Sequence, residues 1–97
     1  MNFKNQRFIT RGVGEKLSPL LILFLWELID NLSPPMDYLQ VFNLSEKDGK
    51  LRIEHVQEKQ EYRREYLIST GSPVCYCGKI YVIDDETHST MLLASEY

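Results

Sequence analysis

One segment of the chain is apolar around most of a helical surface, and it is the clearest element in the pattern of hydrophobic and polar positions. It covers residues 19–32, with Ser18 in the capping position and Pro19 at the first helical position. That arrangement is typical of a helix start, because the serine hydroxyl accepts a free backbone N–H and proline loses no bond there. The segment ends before Pro34, since a residue that precedes proline avoids the helical conformation. The pattern therefore predicts a helix over residues 19–32.

The apolar surface of this helix exceeds the single stripe that packing on one sheet face requires. That stripe consists of Leu21, Leu25, Leu28, Ile29 and Leu32. Leu20 and Leu23 lie instead on the face that carries Glu27 and Asp30. Two interpretations stay open: residues 3–13 and the last strand cover these leucines, or another protein chain does.

Strand patterns flank the helix. Alternating apolar and polar positions, rich in β-branched and aromatic residues, predict strands over residues 38–44, 51–57 and 62–69. Asp48 and Gly49 lie between the first two strands and are a strong hairpin signal. Before the helix, residues 7–13 predict a short strand that Gly12 and Gly14 end, and a loop follows.

The C-terminal third continues with strands. Residues 74–76 and 79–83 predict one strand with a bulge at Gly78. Residues 90–94 fit a strand or a short helix, and we favour a strand paired with residues 79–83 because the linker has hairpin length. The element order predicts an α+β fold, with one apolar helix packed on a mostly antiparallel sheet of about five to six strands. We expect a single domain over residues 1–97.

Composition narrows the possible partners and the location. The 97 residues are 43% hydrophobic, which is enough for one modest core. The net charge is -3, so no positive field favours nucleic acid or an anionic membrane as a partner. Polar and basic first residues without a following apolar run favour the cytoplasm. The predicted helix, at about 21 Å, is too short to span a bilayer.

Two cysteines are the first candidate for chemistry. Cys75 and Cys77 are separated by one residue, so both sulfurs lie on one side of a strand and could bind a soft metal or oxidise reversibly. His88, His55 or Asp85 would have to complete a metal site, because closed zinc sites have four ligands. Free thiols are the favoured interpretation. A metal-binding or thiol redox protein remains the alternative function.

Two further polar clusters have plain structural interpretations. Residues 84–88 combine carboxylates with an imidazole, and a divalent cation site or a small hydrolase that uses Asp85 and His88 is the chemical interpretation. A solvated hairpin turn explains the cluster better. Tyr62, Arg64 and Tyr66 alternate in the manner of a platform for stacking nucleotide bases. Their acidic neighbours favour a charge ladder on a wet sheet face.

Six short motifs occur in order along almost the whole chain. They are residues 7–13 (RFITRGV), Leu25-Trp26 with Ile29-Asp30, residues 37–42 (DYLQVF), Gln57-Glu58 with Tyr62, Asp84-Asp85 with His88, and residues 90–93 (TMLL) with Glu96-Tyr97. Together they resemble a family of small bacterial domains of unknown function, number nine hundred and sixty of the uncharacterised families. The resemblance implies a compact α+β protein of the bacterial cytoplasm. It implies no activity, no catalytic residue and no role for Cys75 or Cys77.

Surplus helix hydrophobicity and the lack of a recognisable catalytic motif favour association over chemistry. We expect a non-enzymatic protein-binding module that pairs with itself as a homodimer, or with an unidentified protein. The expected interface residues are Leu20, Leu23, Phe24 and Glu27. We expect no cofactor, and no nucleic acid or membrane partner.

Overall fold

The fold is a six-stranded sheet with two short helices. The computed structural model describes residues 3–69, 71 and 76–97. In chain order the elements are β1 (Gln6–Ile9), α1 (Arg11–Lys16), α2 (Pro19–Asp30), β2 (Leu39–Lys47), β3 (Lys50–Gln57), β4 (Arg63–Ile68), β5 (Gly78–Asp84), β6 (His88–Leu93) and a 3-10 turn (Ala94–Glu96). The sheet order is β1-β6-β5-β2-β3-β4, and only the β1–β6 pair is parallel. The α+β class and the mostly antiparallel sheet are therefore confirmed.

The chain contains a second helix, α1, where the sequence predicts the end of a strand and a loop. Thr10 caps it, because the Thr10 hydroxyl accepts the Val13 backbone N–H at 3.3 Å. The Glu96 carboxylate, from the other end of the chain, accepts the Gly12 N–H at 3.2 Å. A Cβ on Gly12 would lie 2.6 Å from that carboxylate and 2.8 Å from Leu93. Gly12 thus permits the close approach of Glu96 and Leu93 to α1 and does not end a strand there. The expectation of one helix is not confirmed.

Helix α2 begins where its capping signal predicts. The Ser18 hydroxyl accepts the Leu21 N–H at 3.2 Å, and Pro19 occupies the first turn. The helix ends at Asp30, two positions before the predicted end, with Asn31 as its C-cap. Its inward side buries Leu25, Trp26 and Ile29.

Turn chemistry sets the register of the sheet. Asp48 and Gly49 both have positive φ (54° and 76°), as the tight two-residue turn of a β-hairpin requires. The turn pairs Lys47 with Lys50, so the predicted hairpin is confirmed. Strand β6 pairs antiparallel with β5, as expected for the apolar segment near the C-terminus.

One face of the sheet, the inner face, forms the core beneath α2. The largest buried apolar side chains on it are Phe42, Ile53, Ile80, Met91 and Val82. The predicted strand can be compared with the structure only in part. Strand β5 starts at Gly78, and residues 74 and 75 lie outside the described residues. The opposite side, the outer face, has no helix over it among the described residues.

Candidate protein-binding surface

The most exposed apolar side chains of α2 form a ridge along its outward side. Leu20 is 81% exposed and Leu23 is 57% exposed. Glu27 follows one turn later and is also exposed. We call Leu20, Leu23 and Glu27 the outer ridge of α2. Of the two interpretations left open by the sequence, burial within the monomer is wrong, because the chain itself leaves both leucines in solvent.

Contacts on both flanks hold α2 in this orientation. On one flank the Arg7 guanidinium lies 4.6 Å from the centre of the Trp26 ring and forms an ion pair with Asp30. On the other flank Phe24, one of the expected interface residues, is half-buried, and its ring meets the Tyr66 ring edge-on at 6.1 Å. Rotating α2 to bury the ridge would break both contacts.

The outer face of the sheet is a second apolar surface, and the side chains at its centre are partly buried. It carries apolar residues on the central strands and β6: Leu39, Val41, Val56, Tyr81, Ile83 and Leu92. The first five are half-buried, and Leu92 is buried. The Tyr97 ring packs edge-on against Tyr81 at 5.5 Å. Large exposed apolar residues on this face lie toward its edges, at Phe8 and Leu67.

Strands β3 and β4 carry an ion-pair network on the outer face. Arg52 donates to Glu65 at 2.6 Å, and Arg63 pairs with Glu54. Hydrogen bonds from Arg63 and Asn43 lower the pKa of Glu54. A cross-strand charge ladder is therefore present, but it is formed by Arg52, Glu54, Arg63 and Glu65, whereas Arg64 lies opposite His55 on the other face.

The alternating tyrosines and arginine of the proposed stacking platform line a cleft on the opposite side. Tyr62, Arg64 and Tyr66 border a volume of about 600 Å³ between β4 and the C-terminal end of α2. The Arg64 guanidinium lies 5.1 Å from the centre of the Tyr62 ring. Arg64 therefore occupies the ring face on which a base would stack.

A buried polar cluster lies on the inner face, and sequence reasoning did not identify it. His55 Nε2 lies 2.7 Å from Gln40 Oε1, and Gln40 Nε2 donates to the Asp37 carbonyl at 2.9 Å and to Gln57 Oε1 at 3.0 Å. Because the Gln40 amide nitrogen faces two acceptors, its oxygen must accept, and the proton of His55 is on Nε2.

The other ring nitrogen of His55 has no hydrogen-bond partner among the described residues. The imidazole is fully buried between the rings of Phe42 and Tyr62, whose centres lie at 4.3 Å and 5.1 Å. Burial lowers the pKa of His55 from 6.5 to about 4. His55 is therefore neutral and belongs to the core.

The acidic cluster at residues 84–88 is a hydrogen-bonded hairpin turn. Asp85 Oδ1 accepts the backbone N–H groups of Thr87 and His88, both at 3.0 Å, and the Thr87 hydroxyl at 2.8 Å. These bonds lower the pKa of Asp85. His88 Nε2 is 3.2 Å from the Asp85 carboxylate, so the structure does bring the two residues of the hydrolase hypothesis together. They lie on an exposed turn, and Asp84 points into the protein, where it accepts the Phe3 N–H at 3.1 Å.

The structure does not bring the described thiol to the other candidate metal ligands. Cys77 is exposed just before β5, whereas Asp85 and His88 lie beyond the far end of that strand, about 26 Å away at the rise of an extended chain. Cys75 lies outside the described residues, so the paired-thiol hypothesis stays a prediction. Among the residues described, no three His, Cys, Asp or Glu side chains are grouped closely enough to hold a metal ion.

Neither helix of the described chain combines the length and the apolar character needed to cross a bilayer.

A family model described as "Staphylococcal protein of unknown function (DUF960)" matches residues 6–96. The comparison with curated proteins found no match. Among solved structures, the chain is similar to one described as "Crystal structure of the protein of unknown function from Enterococcus faecalis". The two chains are 25% identical, the similarity covers 100% of this chain and 96% of the other, and the TM-score is 0.89.

Proposed function

Because the chain belongs to the DUF960 family of staphylococcal proteins of unknown function, its relatives supply no activity, and we propose a role from its own surfaces. The protein is a non-enzymatic, cytoplasmic protein-binding module that forms a homodimer through the outer ridge of α2. The observation that carries this proposal is the exposure of Leu20 and Leu23, at 81% and 57%, on a rigidly held helix.

The outer ridge is a better candidate than the outer face of the sheet. Each large apolar side chain that moves from water into an interface contributes about 1.5 to 3 kcal/mol. Leu20 and Leu23 retain most of that contribution, whereas the apolar side chains at the centre of the outer face are already half-buried, and Leu92 is only 9% exposed. A partner therefore gains more per residue on the helix. The expected interface also includes the exposed edge of Phe24, beside the ridge.

The size of the ridge limits the affinity. Two leucines per protomer make a contact smaller than the roughly 1,200 Å² at the low end of standard protein interfaces. Association also costs translational and rotational freedom. We therefore expect a reversible dimer with a dissociation constant of about 10 to 500 μM.

Light scattering on a size-exclusion column, over a wide range of loading concentrations, tests the proposal. The wild-type mass should rise from 11.4 kDa toward twice that value. Leu23→Glu should hold the mass at the monomer value, because a carboxylate would be buried in the contact. The matched control is Leu67→Glu, since Leu67 is 50% exposed but lies on β4. A wild type that stays monomeric, or a Leu23→Glu variant that dimerises normally, would refute the proposal.

A further inference from the structure

The cleft between β4 and the C-terminal end of α2 has the size and the mixed lining of a small-molecule site. It encloses about 600 Å³, and none of the outer-ridge residues borders it. Small-molecule sites usually enclose about 300 to 1,000 Å³ and combine apolar walls with a few polar groups. The apolar walls of this cleft are Leu28, Leu32, Pro35 and Tyr66. Its polar groups decide which ligand it fits.

One polar group of the cleft is a buried amide whose donor has no partner. The Gln57 side chain is only 7% exposed, and its Oε1 accepts the Asp37 backbone N–H at 2.8 Å and Gln40 Nε2 at 3.0 Å. Because a backbone N–H can only donate, the bonded atom of Gln57 is its oxygen. Gln57 Nε2 has no hydrogen-bond partner among the described residues.

The unpartnered amide nitrogen of Gln57 reaches the surface of the cleft. Across the described part of the chain, His55 Nδ1 is the one fully buried side-chain polar atom that lacks a partner. Gln57 Nε2 is therefore accessible, and the cleft is the space that Gln57 borders. A donor that is held in place and open only toward a cleft is a group that a ligand can satisfy.

An unpaired guanidinium lies beside that amide. Arg64 is opposite His55 in the sheet, so Gln57, two residues further along β3 on the same face, is its diagonal neighbour. Diagonal neighbours are about 7 to 8 Å apart between their backbones. Arg64 lies against the Tyr62 ring and donates to the Arg63 carbonyl at 3.1 Å. Among the described residues, no carboxylate forms an ion pair with Arg64.

These donors favour an anion, and the other groups of the cleft limit its charge. Arg64 and Gln57 Nε2 can only donate, and a guanidinium binds carboxylates with two parallel hydrogen bonds. Glu61 also borders the cleft, and the C-terminal end of α2 contributes a partial negative charge. Both disfavour a ligand with several negative charges, such as a phosphate ester. One carboxylate on an apolar body matches the donors and the walls together.

We propose that this cleft binds a small monocarboxylate with an apolar or aromatic body. The carboxylate accepts hydrogen bonds from the Arg64 guanidinium and from Gln57 Nε2, and the body lies against the apolar walls. Asp37 and Gln40 hold the Gln57 oxygen from the interior, so the donor is oriented before the ligand arrives. Such preorganisation lowers the entropic cost of binding. The site goes beyond the proposed dimer and does not depend on it.

Titration of the full chain with phenylacetate, followed in proton–nitrogen correlation spectra at constant ionic strength, tests the site. A ligand of this size should bind with a dissociation constant of about 1 to 5 mM. The backbone signals of Tyr62 and Arg64 and the side-chain amide signal of Gln57 should shift. Phenylacetamide has the same body without the charge, and it should bind at least roughly tenfold more weakly.

Three variants assign the binding to the two donors. Arg64→Gln removes the charge from an exposed side chain and should weaken phenylacetate binding at least roughly tenfold. Gln57→Glu keeps an acceptor for Asp37 and Gln40 but replaces the donor by an oxygen, so it should abolish binding. The matched control is Arg63→Gln, one residue away on the outer face, which should leave the dissociation constant within about twofold.

Each outcome decides the inference without deciding the dimer. Binding that requires the carboxylate and Arg64, but not Arg63, supports it. The inference is overturned if phenylacetate causes no shift up to about 30 mM, if phenylacetamide binds equally well, or if Arg63→Gln weakens binding as much as Arg64→Gln. Should Gln57→Glu fail to fold, the two arginine variants and the two ligands still decide. The oligomeric state is measured separately, so a cleft that binds nothing would leave the proposed homodimer standing.

Discussion

The two sides of α2 carry the same kind of residue and have opposite environments. On the inner side Leu25 is fully buried and Ile29 is 1% exposed. On the outer side Leu20 and Leu23 stand in solvent. Arg7 contacts Trp26 on one flank of the helix and Tyr66 contacts Phe24 on the other, so rotation of α2 cannot exchange these environments without breaking both contacts.

The difference shows that hydrophobicity alone does not identify the core of this protein. The sheet beneath α2 buries the apolar residues of its inner side. On the outer side, the same chain leaves Leu20 and Leu23 exposed. Exposure of two leucines one turn apart to water is unfavourable in a monomer, whereas in an assembly the same two side chains can be buried in a contact. We therefore expect the inner side to control stability and the outer ridge to control association.

Truncation of one leucine on each side should give the largest difference. Leu25→Ala removes a fully buried side chain and should lower the free energy of unfolding by about 3 to 5 kcal/mol. Leu23→Ala, measured in dilute solution where the protein is monomeric, should change it by less than about 0.5 kcal/mol. Urea denaturation followed by circular dichroism measures both. Similar losses in the two variants would contradict the division of roles.

A fall in pH should lower the free energy of unfolding through His55 on the inner face of the sheet, and this is the next largest expected effect. The unfolded chain protonates His55 near pH 6.5 and the folded chain only near pH 4. Its contribution to stability is therefore fully present above pH 6.5 and is lost as the pH falls through 4. Between pH 7 and pH 5 we expect a loss of about 2 kcal/mol in the free energy of unfolding of the dilute monomer.

Two histidine variants identify the source of that acid response. His55→Gln keeps a donor toward Gln40 but does not titrate, so its stability should depend much less on pH over this interval. His88→Gln, at the exposed turn, should respond to acid as the wild type does. A wild-type response that persists in His55→Gln would show that another group is responsible.

Local signals predicted the elements whose ends are set by neighbouring residues. Ser18 caps the start of α2, and Asp48-Gly49 closes the β2–β3 hairpin. Helix α1 could not be predicted in this way, because its first turn is completed by Glu96 from the opposite end of the chain. A local window that contains Gly12 and Gly14 favours a break instead.

The candidate site was predictable in part. Helical spacing places Leu20 and Leu23 together on the outward side, and their exposure follows once the inner stripe is assigned to the sheet. The buried cluster around His55 depends on which residue of β2 lies opposite it. The Asp48-Gly49 turn fixes that register, because pairing outward from the turn places His55 beside Phe42. The hydrogen bond from His55 to Gln40 becomes evident only from the side-chain positions.

The central claim is that a second copy covers the outer ridge of α2, and backbone amide chemical shifts recorded on dilution test it most directly. On dilution from about 1 mM to about 20 μM, the dimer should dissociate over the expected affinity range. The account predicts concentration-dependent shifts at Leu20, Leu23, Phe24 and Glu27, with little change on β5 and β6. Shifts confined to the outer face of the sheet around Tyr81 and Leu92, or no shifts at any concentration, would contradict it.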